Sequence, residues 1–361
     1  MMKKIVCIHL LNDYSGSPFV FKQAIDVFSN NSWDVDLYTN DTIGFLSEVE
    51  ANKFSIIYKR FNNKVLTLFS YIFSQIFLFF KLLKYRNQDA VFYVNTMMPF
   101  GAAIAGKLMK KEVVYHIHET SISPKLLKKF LTGVIKLTAT KNIFVSKDLY
   151  LRSSINKIES SIVYNSLPEK FLIKANKNRY KLDGVFNVLL ICSLKKYKGV
   201  YEFIDIALNT IENKNISYTL VLNANEKEVD SFFKEIDIPS TIKIFPSQKN
   251  ISTFYTDASL VLNLSRVDGW VETFGMTILE AMSFGVPVIV PPIGGPLELV
   301  TDGVEGYCIS SYETGVIATK IIEISKDENL RVKLSKNARA KSKHFGAVNF
   351  KNKIIKNIIE L

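Results

Sequence analysis

Residues 260–290 read LVLNLSRVDGWVETFGMTILEAMSFGVPVIV. The opening five residues, LVLNL, are an apolar run of strand length. A polar loop follows, then a helix predicted over 275–284, which Gly285 stops. A second β-branched run over 286–290 is the next strand. A strand, a helix and a strand in this order give two parallel strands joined by a crossover helix. The first amides of that helix lack intrahelical partners, and its dipole adds positive potential there. The helix mouth is therefore an anion site suited to a diphosphate, and Gly275 leaves room for a ligand to approach the backbone.

The same alternation extends outward in both directions. Strands are expected at 4–10, 35–39, 55–58, 90–94, 112–116, 142–145 and 161–164, with helices such as 19–29 and 100–109 between them. The pattern pauses over 165–184, a polar stretch carrying Pro168 and several lysines, which reads as an interdomain connection. It restarts with strands at 185–192, 218–223, 242–245 and 260–264 and helices at 200–210 and 226–236; residues 313–361 are mostly helical. A chain of 361 residues with 48% apolar content can bury two cores. The expectation is an α/β protein of two Rossmann-like, doubly wound domains, 1–165 and 166–345, facing a cleft. A final helix, 346–361, is expected to pack back on the first domain. Ligands of such sheets bind beyond the carboxyl ends of the strands.

Two carboxylates flank the helix mouth. Glu272 lies in the loop, and Glu280 lies inside the helix with Met276 and Thr277 on its own face. Carboxylates accept paired hydrogen bonds from neighbouring hydroxyls, as a sugar or a ribose presents them. The segment from Glu272 to Glu280, continued through AMSFGVPVI and GGPLELV to Gly306, resembles the E-x7-E signature of family 4 of the retaining glycosyltransferases, which have the GT-B fold. An E-x7-E pair alone is weak; some forty residues in order after a strand are specific. The resemblance implies that Glu272 contacts the transferred sugar and Glu280 the ribose. Thr273, Phe274, Gly275, Met276 and Thr277 would hold sugar hydroxyls and the diphosphate.

Two further stretches resemble the same family. After the strand at 185–192 comes CSLKKYKGV, where Lys198-Gly199 is similar to the family's G-R-L-x-x-x-K-G. Lys198 would neutralise the leaving diphosphate. The family's Gly-Arg is Cys192-Ser193 here, so Lys195 or Lys196 would supply the second charge and Ser193 a hydrogen bond. After the strand at 112–116, His118-Glu119 resembles the family's sugar-pocket histidine, and strand alternation puts His116 on the same side. The first βα turn, NDYSGSP over 12–18, occupies the place of the family's glycine-rich loop without matching it; Gly16 would keep the backbone close to the cleft. The catalytic set implied is His118, Glu272 and Lys198. No cofactor and no metal are expected, since the His-x-His pair has no third ligand at a suggestive spacing.

The formal charge of +12 favours anionic partners. Three cysteines, far apart, argue against a disulfide framework and fit a reducing cytoplasm. Residues 65–83, VLTLFSYIFSQIFLFFKLL, come close to the length of a membrane span but are interrupted by polar residues and flanked by Lys64, Lys84 and Arg86. They read as an apolar helix, partly buried and partly touching the inner face of a membrane. The expected partners are a nucleoside-diphosphate-sugar donor, a glycan or lipid-linked acceptor of surface polysaccharide or lipopolysaccharide assembly, and an anionic membrane contacted peripherally; nucleic acid is not expected. A GT-B nucleotide-sugar epimerase is the alternative enzyme. A nicotinamide oxidoreductase is disfavoured because no G-x-G-x-x-G is followed by an acidic strand end. The ordered motifs also disfavour a non-catalytic basic module.

Overall fold

The computed structural model describes residues 4–153, 155 and 158–359. Met1–Lys3, which precede the first strand, and the last two residues of the 346–361 segment lie outside the described residues. The chain divides into two compact units, Met1–Asn165 with Val348–Leu361, and Ser166–Ala347.

The first unit is built on seven strands: β1 (Lys4–Ile8), β2 (Asp34–Thr39), β3 (Asn52–Ser55), β4 (Ala90–Asn95), β5 (Val113–Ile117), β6 (Lys141–Phe144) and β7 (Glu159–Ile162). They pair in parallel in the order β3-β2-β1-β4-β5-β6-β7. Helices cover the faces, so the central strands are buried on both sides and read as unbroken apolar runs, as in Ile5 to Ile8. The second unit has β8 (Phe186–Ser193), β9 (Ile216–Asn223), β10 (Ile242–Phe245), β11 (Leu260–Leu262), β12 (Val288–Val290) and β13 (Gly306–Cys308). Their order is β10-β9-β8-β11-β12-β13, again all parallel. Its core gathers Val188, Leu190, Phe203, Leu220, Leu262 and Ile289 from the strands and the helix Val200–Asn209. In each sheet the strand order reverses once, at β1/β4 and at β8/β11. Those are the topological switch points where open α/β sheets hold ligands.

Several expected boundaries move. The strand expected at 55–58 is β3, Asn52–Ser55, because its register follows β2, which ends at Thr39 opposite Ser55. The strand β13 was not expected. Its Gly306 faces β12 so closely that a Cβ would stand 1.8 Å from the Val288 carbonyl oxygen. The stretch 165–184 is not simply a connection: Pro168 opens a helix, Glu169–Lys177. The last helix, Ala347–Ile359, belongs to the first unit from Val348 onward, and there Ser161 Oγ donates to Asn357 Oδ1 at 2.7 Å.

The apolar segment forms the helix Lys64–Leu82, capped by the Asn63 side chain. Together with the turn that follows, it is long and apolar enough to cross a membrane by length and composition. Its inner side is tied down by protein. Tyr71 donates to the Met98 carbonyl at 2.6 Å, and the Gly101 amide donates to Gln75 Oε1 at 3.1 Å. Strands β1–β3 before it and β4–β7 after it share one sheet, so the helix returns the chain to the side it left. Its outer side leaves Phe69 67% and Phe80 64% exposed, together with Val65, Phe73 and Ile76.

Candidate active site

In the second unit the switch point lies between the ends of β8 and β11. After β8 the chain makes a 3-10 turn, Lys196–Lys198, and reverses at Gly199, whose φ of +80° only glycine adopts freely. A Cβ there would also stand 2.3 Å from the Leu264 Cβ and 2.4 Å from the Leu264 oxygen. This close approach brings the β8 loop against the β11 loop. Lys198 Nζ then lies 2.7 Å from Glu272 Oε2 and 3.3 Å from Ser265 Oγ, and Ser265 Oγ donates to the same carboxylate oxygen at 3.1 Å. The two ionic side chains are 18% and 17% exposed, half-sheltered and still open to solvent. Burial works to raise the Glu272 pKa. The Lys198 charge and hydrogen bonds from Lys198, Ser265 and Asn263 outweigh it and hold the carboxyl below the usual range.

Aromatic packing supports this pair. The Trp270 indole stacks on Tyr197, with ring centroids 5.7 Å apart, and Lys198 Nζ lies 5.5 Å from the Trp270 ring. The Arg266 guanidinium does not reach Glu272; it is held by Glu202 Oε1 at 2.6 Å. Behind the Glu272 loop, the Gly295 amide donates to the Glu272 carbonyl at 2.9 Å, and a Cβ at Gly295 would stand 2.2 Å from the Thr273 oxygen. The backbone of Glu272, Thr273 and Phe274 is thus braced by a glycine pair.

The helix begins one residue later than expected, at Met276, with Gly275 as its N-cap at a φ of +98°. No side chain caps it, and the Ile278 and Leu279 amides are the ones that bond back to the Gly275 carbonyl. The amide end of Met276 and Thr277 is available to an anion. Glu280 lies a turn further in, 7% exposed, and Tyr255 OH donates to its Oε2 at 2.6 Å. Burial raises its pKa to about 7, and the Tyr255 bond offsets only part of that effect. Ser193, at the end of β8, and Lys195 stand just before the Lys196–Lys198 turn. They line a cavity of about 590 Å³ with Asn223, Asn225, Lys227 and Phe232, at the ends of β8 and β9.

In the first unit His118 follows directly on β5 and His9 directly on β1, and β4 ends at Asn95. His118 Nε2 lies 2.9 Å from Asn95 Oδ1, and Asn95 Nδ2 lies 3.0 Å from His9 Nδ1. The His116 ring is 4.4 Å from that of His118 and its Nδ1 is 3.0 Å from Tyr93 OH. Burial pushes the His118 pKa well below its ordinary value, with His116 and His9 adding to the effect. Burial also takes His9 to about 4 and His116 to about 3, so all three rings are neutral near pH 7. Glu119 accepts from the Met97 and His118 amides, and burial raises it to about 7. Gly16 starts the helix Gly16–Ser29, but no atom lies within 4 Å of where its Cβ would be, so a side chain fits there.

The structure therefore joins Lys198 to Glu272 and seats both by the mouth that opens at Gly275. It bonds Glu280 to Tyr255 and sets Lys195 and Ser193 along the cavity at the ends of β8 and β9. Reasoning from the sequence missed Ser265, Tyr255, His9 and the bracing role of Gly294 and Gly295, and gave Asn95 no role. Ser265 was legible as the second residue after Asn263 at a strand end. Tyr255 carries no local signal, because its short helix, Ser252–Asp257, lacks apolar periodicity.

Comparison with known proteins places these features. Residues 173–341 match the family described as Glycosyl transferases group 1. The chain is 24% identical to N-acetyl-alpha-D-glucosaminyl L-malate synthase of Bacillus anthracis over 274 residues, 70% of each chain. It is 26% identical over 266 residues to an uncharacterized 41.2 kDa protein in the cps region of Klebsiella pneumoniae, 68% of this chain and 70% of that one. Among solved structures, Anabaena HepE in complex with UDP and glucose superposes with a TM-score of 0.78 at 20% identity, covering 100% of both chains. The chain is a glycosyltransferase enzyme with the GT-B fold, and its residues 173–341 are similar to the group 1 glycosyl transferases.

Proposed function

We propose that this enzyme belongs to the retaining family 4 and moves a hexose-type sugar from a nucleoside-diphosphate-sugar to a hydroxyl of a glycan or lipid-linked glycan, in bacterial surface polysaccharide assembly. The observation that carries this reading is the Lys198–Glu272 pair at the switch point, beside a helix whose first amides are uncapped. The diphosphate sits on the Met276 and Thr277 amides. As the bond between the anomeric carbon and the phosphate oxygen breaks, its electron pair leaves with the diphosphate, and Lys198 and the helix end stabilise that charge. The acceptor oxygen bonds to the anomeric carbon from the same face, and its proton passes to the leaving phosphate. Glu272 positions the sugar, Glu280 accepts from the ribose hydroxyls, and His118 accepts from a sugar hydroxyl. The cps-region relative supports the assignment to surface polysaccharide.

Donor binding is the direct test. A nucleotide that binds only the folded protein, present at about 100 times its Kd, adds about 2.7 kcal/mol of stability. A thermal-shift panel of nucleoside diphosphates and their sugars should contain at least one such ligand, and a panel with none would sink the reading. The carboxylate of Glu280 must be ionised to accept both ribose hydroxyls, and its pKa in the free protein is about 7. Affinity for a nucleoside-diphosphate-sugar, whose phosphates stay ionised over this range, should therefore weaken as pH falls below about 7. Glu280→Gln should bind more weakly and lose that pH dependence.

The outer face of Lys64–Leu82 supports peripheral binding to the inner, anionic face of the cell membrane. Its exposed Phe69, Phe73, Ile76 and Phe80 form an apolar stripe, and Lys64, Lys84 and Arg86 supply the positive flanks. Sedimentation with vesicles containing an anionic phospholipid should carry the protein down at low salt. Replacing Phe69, Phe73 and Phe80 by serine should abolish this without changing the melting temperature by more than a few degrees. Wild-type protein that stays in the supernatant would rule the membrane out and favour a soluble acceptor.

A further inference from the structure

We infer that Asn95 locks His118 in the tautomer protonated at Nε2 and so reserves its Nδ1 lone pair for a substrate hydroxyl. The inference rests on the His118 role above only in its last clause; the tautomer follows from the hydrogen bonds alone. Asn95 is fully buried at the end of β4. Its Nδ2 lies 3.3 Å from the Ser17 carbonyl oxygen, which can only accept. The amide group must therefore turn Nδ2 toward Ser17, and with it toward His9 Nδ1 at 3.0 Å. The other partner within reach of His9 Nδ1, the Asn95 backbone carbonyl, is 3.5 Å away, too long for a good bond. His9 Nδ1 is thus an acceptor. Asn95 Oδ1 is left facing His118 Nε2 at 2.9 Å, and an oxygen without a proton requires N–H there.

The ring is neutral, so a proton on Nε2 leaves Nδ1 bare. Among the described residues, no protein group is recorded bonding that nitrogen, and His118 is only half-buried. A neutral imidazole held this way accepts a hydrogen bond at a fixed point. It cannot turn over without breaking the Asn95 bond. Asn95 is a positioning residue: it touches His118 and the Ser17 backbone of the first helix, and the backbone supplies the one directional element in the chain of bonds.

The test reads tautomer and turnover separately. In protein labelled with 15N-histidine, the His118 signals, identified by their loss in His118→Gln, should show a protonated Nε2 and an unprotonated Nδ1. A proton on Nδ1, or a mixture, in the wild type overturns the inference whatever the activity. Asn95→Ala should give mixed tautomers and lower kcat at least about tenfold, well short of the ~10^4 that a wrong tautomer costs a serine protease. Asn95→Asp retains an acceptor for Nε2–H, so it should keep the tautomer. Its added charge should also raise the His118 pKa against burial and the neighbouring His116 and His9, with the Glu119 carboxylate, which accepts from the His118 amide, acting in the same direction. The imidazolium signal should then appear at a higher pH than in the wild type, a change that a merely structural residue would not cause. Mixed tautomers with undiminished transfer in Asn95→Ala would remove the substrate clause and, with it, the catalytic role of His118. Absence of nucleotide binding would leave the tautomer result standing.

Discussion

Glu272→Ala is expected to lower sugar transfer by about 10^3-fold or more, with kcat and kcat/KM falling together. The carboxylate is not a loose surface charge. It takes hydrogen bonds from Lys198 and Ser265 at one oxygen, and its backbone carbonyl is held by the Gly295 amide. Removing it frees the Lys198 ammonium to move toward solvent and deletes the group that holds the sugar against the helix mouth. Glu272→Gln keeps nearly the same shape and loses only the charge. It should recover packing and melting temperature, yet restore little activity. Release of nucleoside diphosphate from the donor, with and without acceptor, is a suitable measurement. Undiminished turnover by purified, folded Glu272→Ala would eliminate the sugar-positioning role.

Lys198→Met should cost about 10^2- to 10^3-fold in kcat, through loss of the charge that meets the departing diphosphate. It also has a signature in stability against pH. In the wild type the folded pKa of Glu272 is below its unfolded value. That difference contributes stability above the unfolded pKa, which is lost as pH falls through the folded value. Without Lys198 the strongest remaining influence on Glu272 is burial, which raises its pKa. The sign then reverses, and the variant should lose stability as pH rises from about 4.5 toward neutrality. An unpaired, mostly buried carboxylate costs up to about 3–5 kcal/mol, and less here because the pair remains partly open to water. The double variant Lys198→Met with Glu272→Gln removes that unpaired charge. It should regain most of the stability and none of the transfer. A double variant as unstable as Lys198→Met alone would show that the two side chains do not depend on each other.

The sequence by itself determined the architecture and the loop and helix that carry the proposed site. Strands buried on both faces of a parallel sheet must be apolar throughout, and the helices between them must follow a different period, so the alternation is written locally. The helix over 276–283 and the acids on either side of its start were legible for the same reason: loop, glycine and periodic helix lie within one short stretch. Strand ends were less legible. Ile56 and Ile57 are as strand-like as any residues of β3, but β2 ends at Thr39: Ile56 keeps one backbone bond, to the Thr39 carbonyl, and no β2 residue pairs with either. Gly306 carries no strand propensity, and only the nearness of the Val288 backbone makes β13.

The tertiary structure alone decided which groups meet. Lys198 and Glu272 are 74 residues apart, Tyr255 and Glu280 are 25 apart, and Asn95 and His118 are 23 apart. No local period links any of these pairs. The first pair meets because β8 neighbours β11 and Gly199 allows one loop to touch another, and the last because β4 neighbours β5. Protonation follows the same division. A side chain's type fixes its ordinary pKa, but burial and partners move Glu272 down and Glu280 up within a single motif. Two of those partners, Lys198 for Glu272 and Tyr255 for Glu280, come from segments distant in the chain, so the charge state of the site is a property of the folded molecule.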